Sequence, residues 1–111
     1  MRNVMSGQSS NDDIYLFIMR HGEAALEAAS DSARPLTECG CDETVHMAAW
    51  LKARSVNIQR VLVSPYLRAQ QTLDKMRQTL ALPAESDVLK ELTPGGDPAA
   101  VAQELLALAA E

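Results

Sequence analysis

Arg20-His21-Gly22 closes the apolar run Ile14-Tyr15-Leu16-Phe17-Ile18-Met19. An imidazole nitrogen is a competent phosphoryl acceptor when it is unprotonated and held in line with phosphorus. Arg20 supplies the adjacent cation that neutralises phosphoryl oxygens. Gly22 removes side-chain bulk, so backbone amide and phosphate can approach closely. A second cation, Arg68, follows the next apolar run, Val61-Leu62-Val63, in Ser64-Pro65-Tyr66-Leu67-Arg68-Ala69. Two arginines converging from neighbouring strand ends clamp a phosphate dianion through several charge-assisted bonds, and a helix N-terminus adds a favourable dipole. A lone histidine is ordinarily structural, and an arginine early in a helix is ordinarily solvated. The adjacency of Arg20, His21 and Gly22, with Arg68 after the next strand, points instead to a phosphate site.

The other polar residues carry a bland reading beside the chemical one. The Ser64 hydroxyl either contacts phosphate or caps a helix whose first position is Pro65, and the cap is favoured. Glu23 either orients the site or faces solvent, and solvent is favoured. Glu91 is either a general acid for a leaving oxygen or a loop carboxylate. Asp31 and Arg34 are candidates for the mouth of the pocket. His46 falls inside a helix with no partner in sequence, which is a structural pattern. Cys39 and Cys41 are one residue apart with no second cluster, a poor metal or disulfide framework. They read as reduced thiols, which suits the cytoplasm. No metal and no cofactor are expected.

These residues must be positioned by the elements around them. Ile14 to Met19 reads as a strand buried on both faces, as in a parallel sheet. Ligands of open α/β sheets bind at the carboxyl ends of such strands. Thr37 is a helix N-cap, and the helix extends to about Arg54, with Met47, Trp50 and Leu51 on one face. Val61 to Val63 is the second strand. In the helix beyond it, Ala69, Thr72, Leu73, Met76 and Leu80 form one stripe, and Leu82-Pro83 breaks it. Val88-Leu89 is a third strand, and Thr93-Pro94-Gly95-Gly96 is a turn. Asp97-Pro98 opens a last helix with Ala102, Leu105, Leu106 and Ala109 on one face. The order β-α-β-α-β-α predicts an α/β fold with a mostly parallel sheet.

The chain has 111 residues, 47% of them hydrophobic, which suits one compact domain. Ten basic and 15 acidic residues give a net charge of −5. That opposes a broad nucleic-acid surface while leaving room for a small phosphate pocket. No apolar run is long enough to span a membrane. Residues 1–13 are polar, lack the apolar region of a signal peptide, and read as a disordered leader or tag. The folded part is expected over 14–111.

Phe17-Ile18-Met19-Arg20-His21-Gly22-Glu23 and Ser64-Pro65-Tyr66-Leu67-Arg68-Ala69-Gln70-Gln71-Thr72, in that order, resemble the histidine phosphatase superfamily, also called phosphoglycerate-mutase-like. Met19 to Ala25, Ala29 to Thr37, Val61 to Pro65 and Glu91-Leu92-Thr93-Pro94 are most similar to its SixA-type phosphohistidine phosphatases. The resemblance implies a three-layer α/β/α fold. It implies hydrolysis of a phosphohistidine on a partner protein, such as a histidine-phosphotransfer domain or a phosphotransferase-system carrier. It carries over His21 as nucleophile and Arg20 and Arg68 as phosphate ligands. The family pattern continues into a further core strand bearing a second histidine. The resemblance therefore implies that these 111 residues are the amino-terminal part of a longer domain. The short stretch between Leu82 and Asp97 leaves no room for a large lid, and an open pocket suits a protein-borne phosphohistidine. A small-molecule phosphomonoesterase of the same superfamily and a non-catalytic phosphate-binding module are the competing expectations.

Overall fold

A computed structural model of the chain describes residues 16–110. The expected leader, and the Ile14 and Tyr15 positions of the expected first strand, lie outside the described residues. Helix α1 spans Glu38–Ala53, strand β1 Leu62–Val63, helix α2 Leu67–Arg77, strand β2 Asp87–Val88 and helix α3 Pro98–Ala109, with a short 3-10 turn at Asp31–Ala33.

Helix α1 begins where the sequence predicts. The Thr37 hydroxyl accepts from Gly40 N at 3.0 Å, and Glu38 and Lys52 lie at the ends that suit their charges. It stops in a Schellman turn. Ser55 takes a positive φ of 55°, its N–H donates to Lys52 O, and Val56 N–H donates to Leu51 O. Val56 then packs against the core cluster that includes Leu51. The buried face of α1 is Gly40, Thr44, Ala48 and Leu51. Trp50, expected on that face, is 38% exposed and stacks under Arg54 instead, 3.6 Å from the guanidinium carbon. The small residues Gly40, Thr44 and Ala48 let neighbouring backbone approach, which a tryptophan on that face would prevent.

Helix α2 buries Arg68, Thr72, Leu73 and Met76, and Leu80 continues the stripe. Ala48, Leu51, Met76 and Leu80 form the core, with Phe17, Met19, Met47, Val56 and Leu82 packed on it. The expected cap at Ser64 is displaced. Its hydroxyl accepts from Tyr66 N at 3.1 Å, forming a turn two residues long, and the helix starts at Leu67 with Tyr66 as N-cap. The helix also ends at Arg77, before Pro83.

Strands β1 and β2 pair in parallel, Leu62 with Asp87 and Val63 with Val88, across the α2 crossover. The first expected strand differs. Residues 16–19 run without strand pairing among the described residues. Phe17 and Met19 face the core, whereas Leu16 and Ile18 are 48% and 63% exposed. Extended chain alternates sides, and only one side of this segment meets a described element. Helix α3 begins as expected, with the Asp97 carboxylate accepting from Ala99 N at 3.0 Å. Its expected apolar face is corrected. Leu106 is 71% exposed and Ala102 is exposed, while Val101, Leu105 and Leu108 are half-buried; the Ala109 side chain lies outside the described set. No helix among the described residues is long and apolar enough to cross a membrane.

Candidate active site

His21 and Arg68, 47 residues apart, meet side chain to side chain. Arg68 Nε donates to His21 Nε2 at 3.1 Å. The other ring nitrogen, Nδ1, lies 2.6 Å from Gly22 O. A carbonyl oxygen only accepts, so the partners assign the proton to Nδ1 and leave the Nε2 lone pair facing Arg68. That is the tautomer a nucleophilic imidazole needs.

Arg68 is 7% exposed, so its charge must be met inside the protein. Nη1 donates to Asp31 O at 2.7 Å, and Nη1 and Nη2 each lie 3.4 Å from a carboxylate oxygen of Asp31. The Tyr66 ring centroid is 4.8 Å from the guanidinium carbon. Asp31 also accepts from Arg34 Nη1 at 2.9 Å, and Arg34 Nε donates to Ala25 O. The hydrogen bond from Arg34 is the main cause that holds the Asp31 carboxyl below the ordinary aspartate range. Desolvation acts upward, and Arg68 adds to the lowering.

The loop that brings Asp31 to Arg68 is closed at its neck. Ala24 and Leu36 form an antiparallel bridge, with Ala25 N donating to Pro35 O at 2.8 Å and Thr37 N to Glu23 O at 2.9 Å. Leu36 N donates to Gln71 Oε1 at 2.8 Å, which ties the loop to α2. Glycine at 22 has a reason beyond phosphate access. A Cβ there would lie 2.3 Å from Gly40 O, and a Cβ at Gly40 would lie 2.1 Å from Glu23 O. The two glycines seat the Arg20 to Glu23 segment directly on the first turns of α1.

The remaining candidates divide. Arg20 is exposed and makes no hydrogen bond or ion pair to another described residue. The Glu23 carboxylate is exposed and accepts from the Thr37 hydroxyl at 2.8 Å. Its charge, more than partial burial and the Glu43 and Asp42 carboxylates, pushes the Cys39 thiol upward. Ser64 is spent on the turn before α2, its carbonyl accepting from Gln70 Nε2 at 2.8 Å. Glu91 Oε1 accepts from Asp97 N at 2.6 Å, at the start of α3, and makes no bond to His21 or Arg68. His46 lies on the exposed face of α1. Cys39 and Cys41 are free thiols. Among the described residues no three His, Cys, Asp or Glu side chains cluster to hold a metal ion. The donors at the site are cationic N–H groups, which suit an oxyanion.

Sequence reasoning missed Gly40, Gln71 and Tyr66 as parts of this assembly. Gly40 left a signal, since a glycine inside a capped helix is unfavourable unless backbone approaches closely. Gln71 left none, because its partner Leu36 lies 35 positions away, and Tyr66 stands only two residues before Arg68, where its ring meets the guanidinium.

Comparison with known proteins identifies the family. The model of the histidine phosphatase superfamily (branch 1) matches residues 16–97. Phosphohistidine phosphatase SixA of Escherichia coli (strain K12) is 59% identical over 96 residues, covering 86% of this chain and 60% of the relative. A phosphohistidine phosphatase SixA homolog of Haemophilus influenzae (strain ATCC 51907 / DSM 11121 / KW20 / Rd) is 40% identical over 88 residues, covering 73% and 54%. The solved structure of the protein histidine phosphatase SixA complexed with tungstate superposes with a TM-score of 0.79 at 60% identity, over 81% of this chain and 58% of that one. The chain thus spans little more than half the length of the relatives it matches. Because the match runs unbroken from the segment before His21 to the start of α3, the chain belongs to branch 1 of the histidine phosphatase superfamily.

Proposed function

We propose that this chain carries the nucleophile and phosphate clamp of a protein phosphohistidine phosphatase. His21 is the nucleophile, and Arg20 and Arg68 bind the phosphoryl oxygens. The observation that carries the reading is the His21 Nε2 lone pair held against a buried arginine, with the ring proton kept on Nδ1 by Gly22 O. The Nε2 pair attacks phosphorus, a new N–P bond forms, and the partner's N–P bond breaks with its electrons returning to the departing imidazole. Water then attacks the His21 phosphoryl group, releases inorganic phosphate and returns the bond pair to Nε2. Arg68 and Arg20 stabilise the oxygens in both steps.

The N–P bond is labile and its leaving imidazole can already carry a proton, so this substrate needs no dedicated acid. The engagement of Glu91 with Asp97 N supports that choice over an alkyl phosphate ester, which does need one. The partner is a phosphohistidine-bearing protein, such as a histidine-phosphotransfer domain or a phosphotransferase-system carrier, in the cytoplasm. We place the described elements in a three-layer α/β/α domain. Its second histidine, in the family pattern, comes from a further core strand rather than from the exposed His46.

The test is incubation of the full-length protein with a histidine-phosphorylated phosphotransfer domain. Loss of phosphate from the partner and transient acid-labile phosphate on His21 are expected. Unchanged phosphate loss with His21→Ala overturns the nucleophile assignment, and absence of any phosphoenzyme overturns the enzymatic reading.

A further inference from the structure

We propose that Asp31 is a built-in competitor for the phosphate clamp, occupying the Arg68 donors that an incoming phosphoryl group must take. This inference rests on the reading of Arg68 as a phosphate ligand. A guanidinium has five N–H donors. In this structure Nε serves His21, Nη1 serves Asp31 O and Oδ1, and Nη2 serves Asp31 Oδ2. One N–H is left over, too few for a two-pronged grip on phosphate.

The contacts differ in how readily they give way. The bond to the Asp31 carbonyl is short, 2.7 Å, whereas both carboxylate contacts are long, 3.4 Å. Asp31 Oδ1 is held more closely by Arg34, at 2.9 Å. The Asp31 side chain is 49% exposed and that of Arg68 only 8%. A phosphate can therefore displace the carboxylate while the carbonyl keeps Arg68 in place. Arg34 and water then receive the displaced charge. At rest the clamp is self-neutralised, so free phosphate binds weakly and product leaves readily. A phosphoryl group presented by a docked protein has its encounter already arranged, and can still displace the carboxylate. Asp31 is thus a positioning residue that favours delivered phosphoryl groups over the free ion.

The test is titration of the full-length protein with inorganic phosphate, and with tungstate as a tetrahedral probe, without substrate. Asp31→Asn should bind both more tightly, on the order of tenfold, as expected for removing one like charge about 6 Å from a dianion in a water-like medium. Product inhibition by phosphate should shift to correspondingly lower concentration. A merely structural role for Asp31 predicts the opposite, weaker binding. On the parent protein, the Asp31 carboxyl carbon resonance should move in step with phosphate saturation. Unchanged or weakened oxyanion binding in Asp31→Asn, or a resonance unmoved at saturation, overturns the proposal. These readouts do not depend on turnover, so they fail separately from the phosphohistidine assignment.

Discussion

Gly40→Ala sets two effects of opposite sign against each other. On helix propensity alone, alanine inside α1 should stabilise by about 1 kcal/mol. The structure predicts the reverse. The added methyl carbon would lie 2.1 Å from Glu23 O and 2.7 Å from Glu23 N, and real Cβ atoms do not approach within 3.0 Å. One backbone must retreat by roughly 1 Å, the difference between 2.1 and 3.0 Å. Neither side yields easily. Glu23 O accepts from Thr37 N, and Glu23 N donates to Glu43 at 2.8 Å. Overpacking of this kind costs about 1–3 kcal/mol. After the propensity gain, a net loss of up to about 2 kcal/mol remains. The displaced segment carries His21, the proposed nucleophile, and a shift on the order of 1 Å in a reacting group costs roughly a hundredfold in rate. Urea denaturation should show a lowered midpoint at unchanged slope, and phosphoenzyme formation should slow. Gly95→Ala is the control, since a Cβ there meets nothing within 4 Å. A Gly40→Ala protein more stable than its parent, by the full propensity gain, would refute the close approach and the seating of the His21 segment on α1.

Three further outcomes follow from the same contacts. Arg68→Lys keeps the charge but loses the planar set of donors that reaches His21 and Asp31 together, so oxyanion affinity should fall on the order of tenfold in a phosphate titration; equal affinity would show that charge alone suffices. The Cys39 thiol, pushed upward chiefly by Glu23, should alkylate with iodoacetamide more slowly at pH 8 than an unperturbed thiol, and Glu23→Gln should speed it; a faster parent reaction contradicts the electrostatic account. Because the folded Asp31 carboxyl lies below its unfolded value, its stabilising contribution is complete above the ordinary aspartate range and is lost as pH falls through the lower folded value. Denaturation midpoints of the parent and Asp31→Asn should therefore change their separation only below about pH 4; a change confined to neutral pH would point to another group.

Much of the local structure was legible in the residues. Thr37 and Asp97 announce their helices because a short polar side chain before a helical run has few better partners than the first free N–H groups. The α2 stripe from Thr72 to Leu80 is legible because helical periodicity is a property of neighbours along the chain. Ser64 misled for a related reason. A hydroxyl before proline satisfies a turn as well as a helix cap, and the choice depends on where α2 must begin to place Arg68.

What the sequence determined by itself was the chemistry at hand. A histidine between an arginine and a glycine, followed by a second arginine after the next strand, points to an oxyanion site. Tertiary structure decided which atoms meet. The 3.1 Å approach of Arg68 to His21, the assignment of the ring proton to Nδ1 and the sharing of Asp31 between Arg68 and Arg34 join residues up to 47 positions apart. It also decided the burial of the segment before His21, where Phe17 and Met19 find the core and Leu16 and Ile18 do not. Composition states that such side chains are apolar, but only the placement of neighbouring elements determines which face they bury.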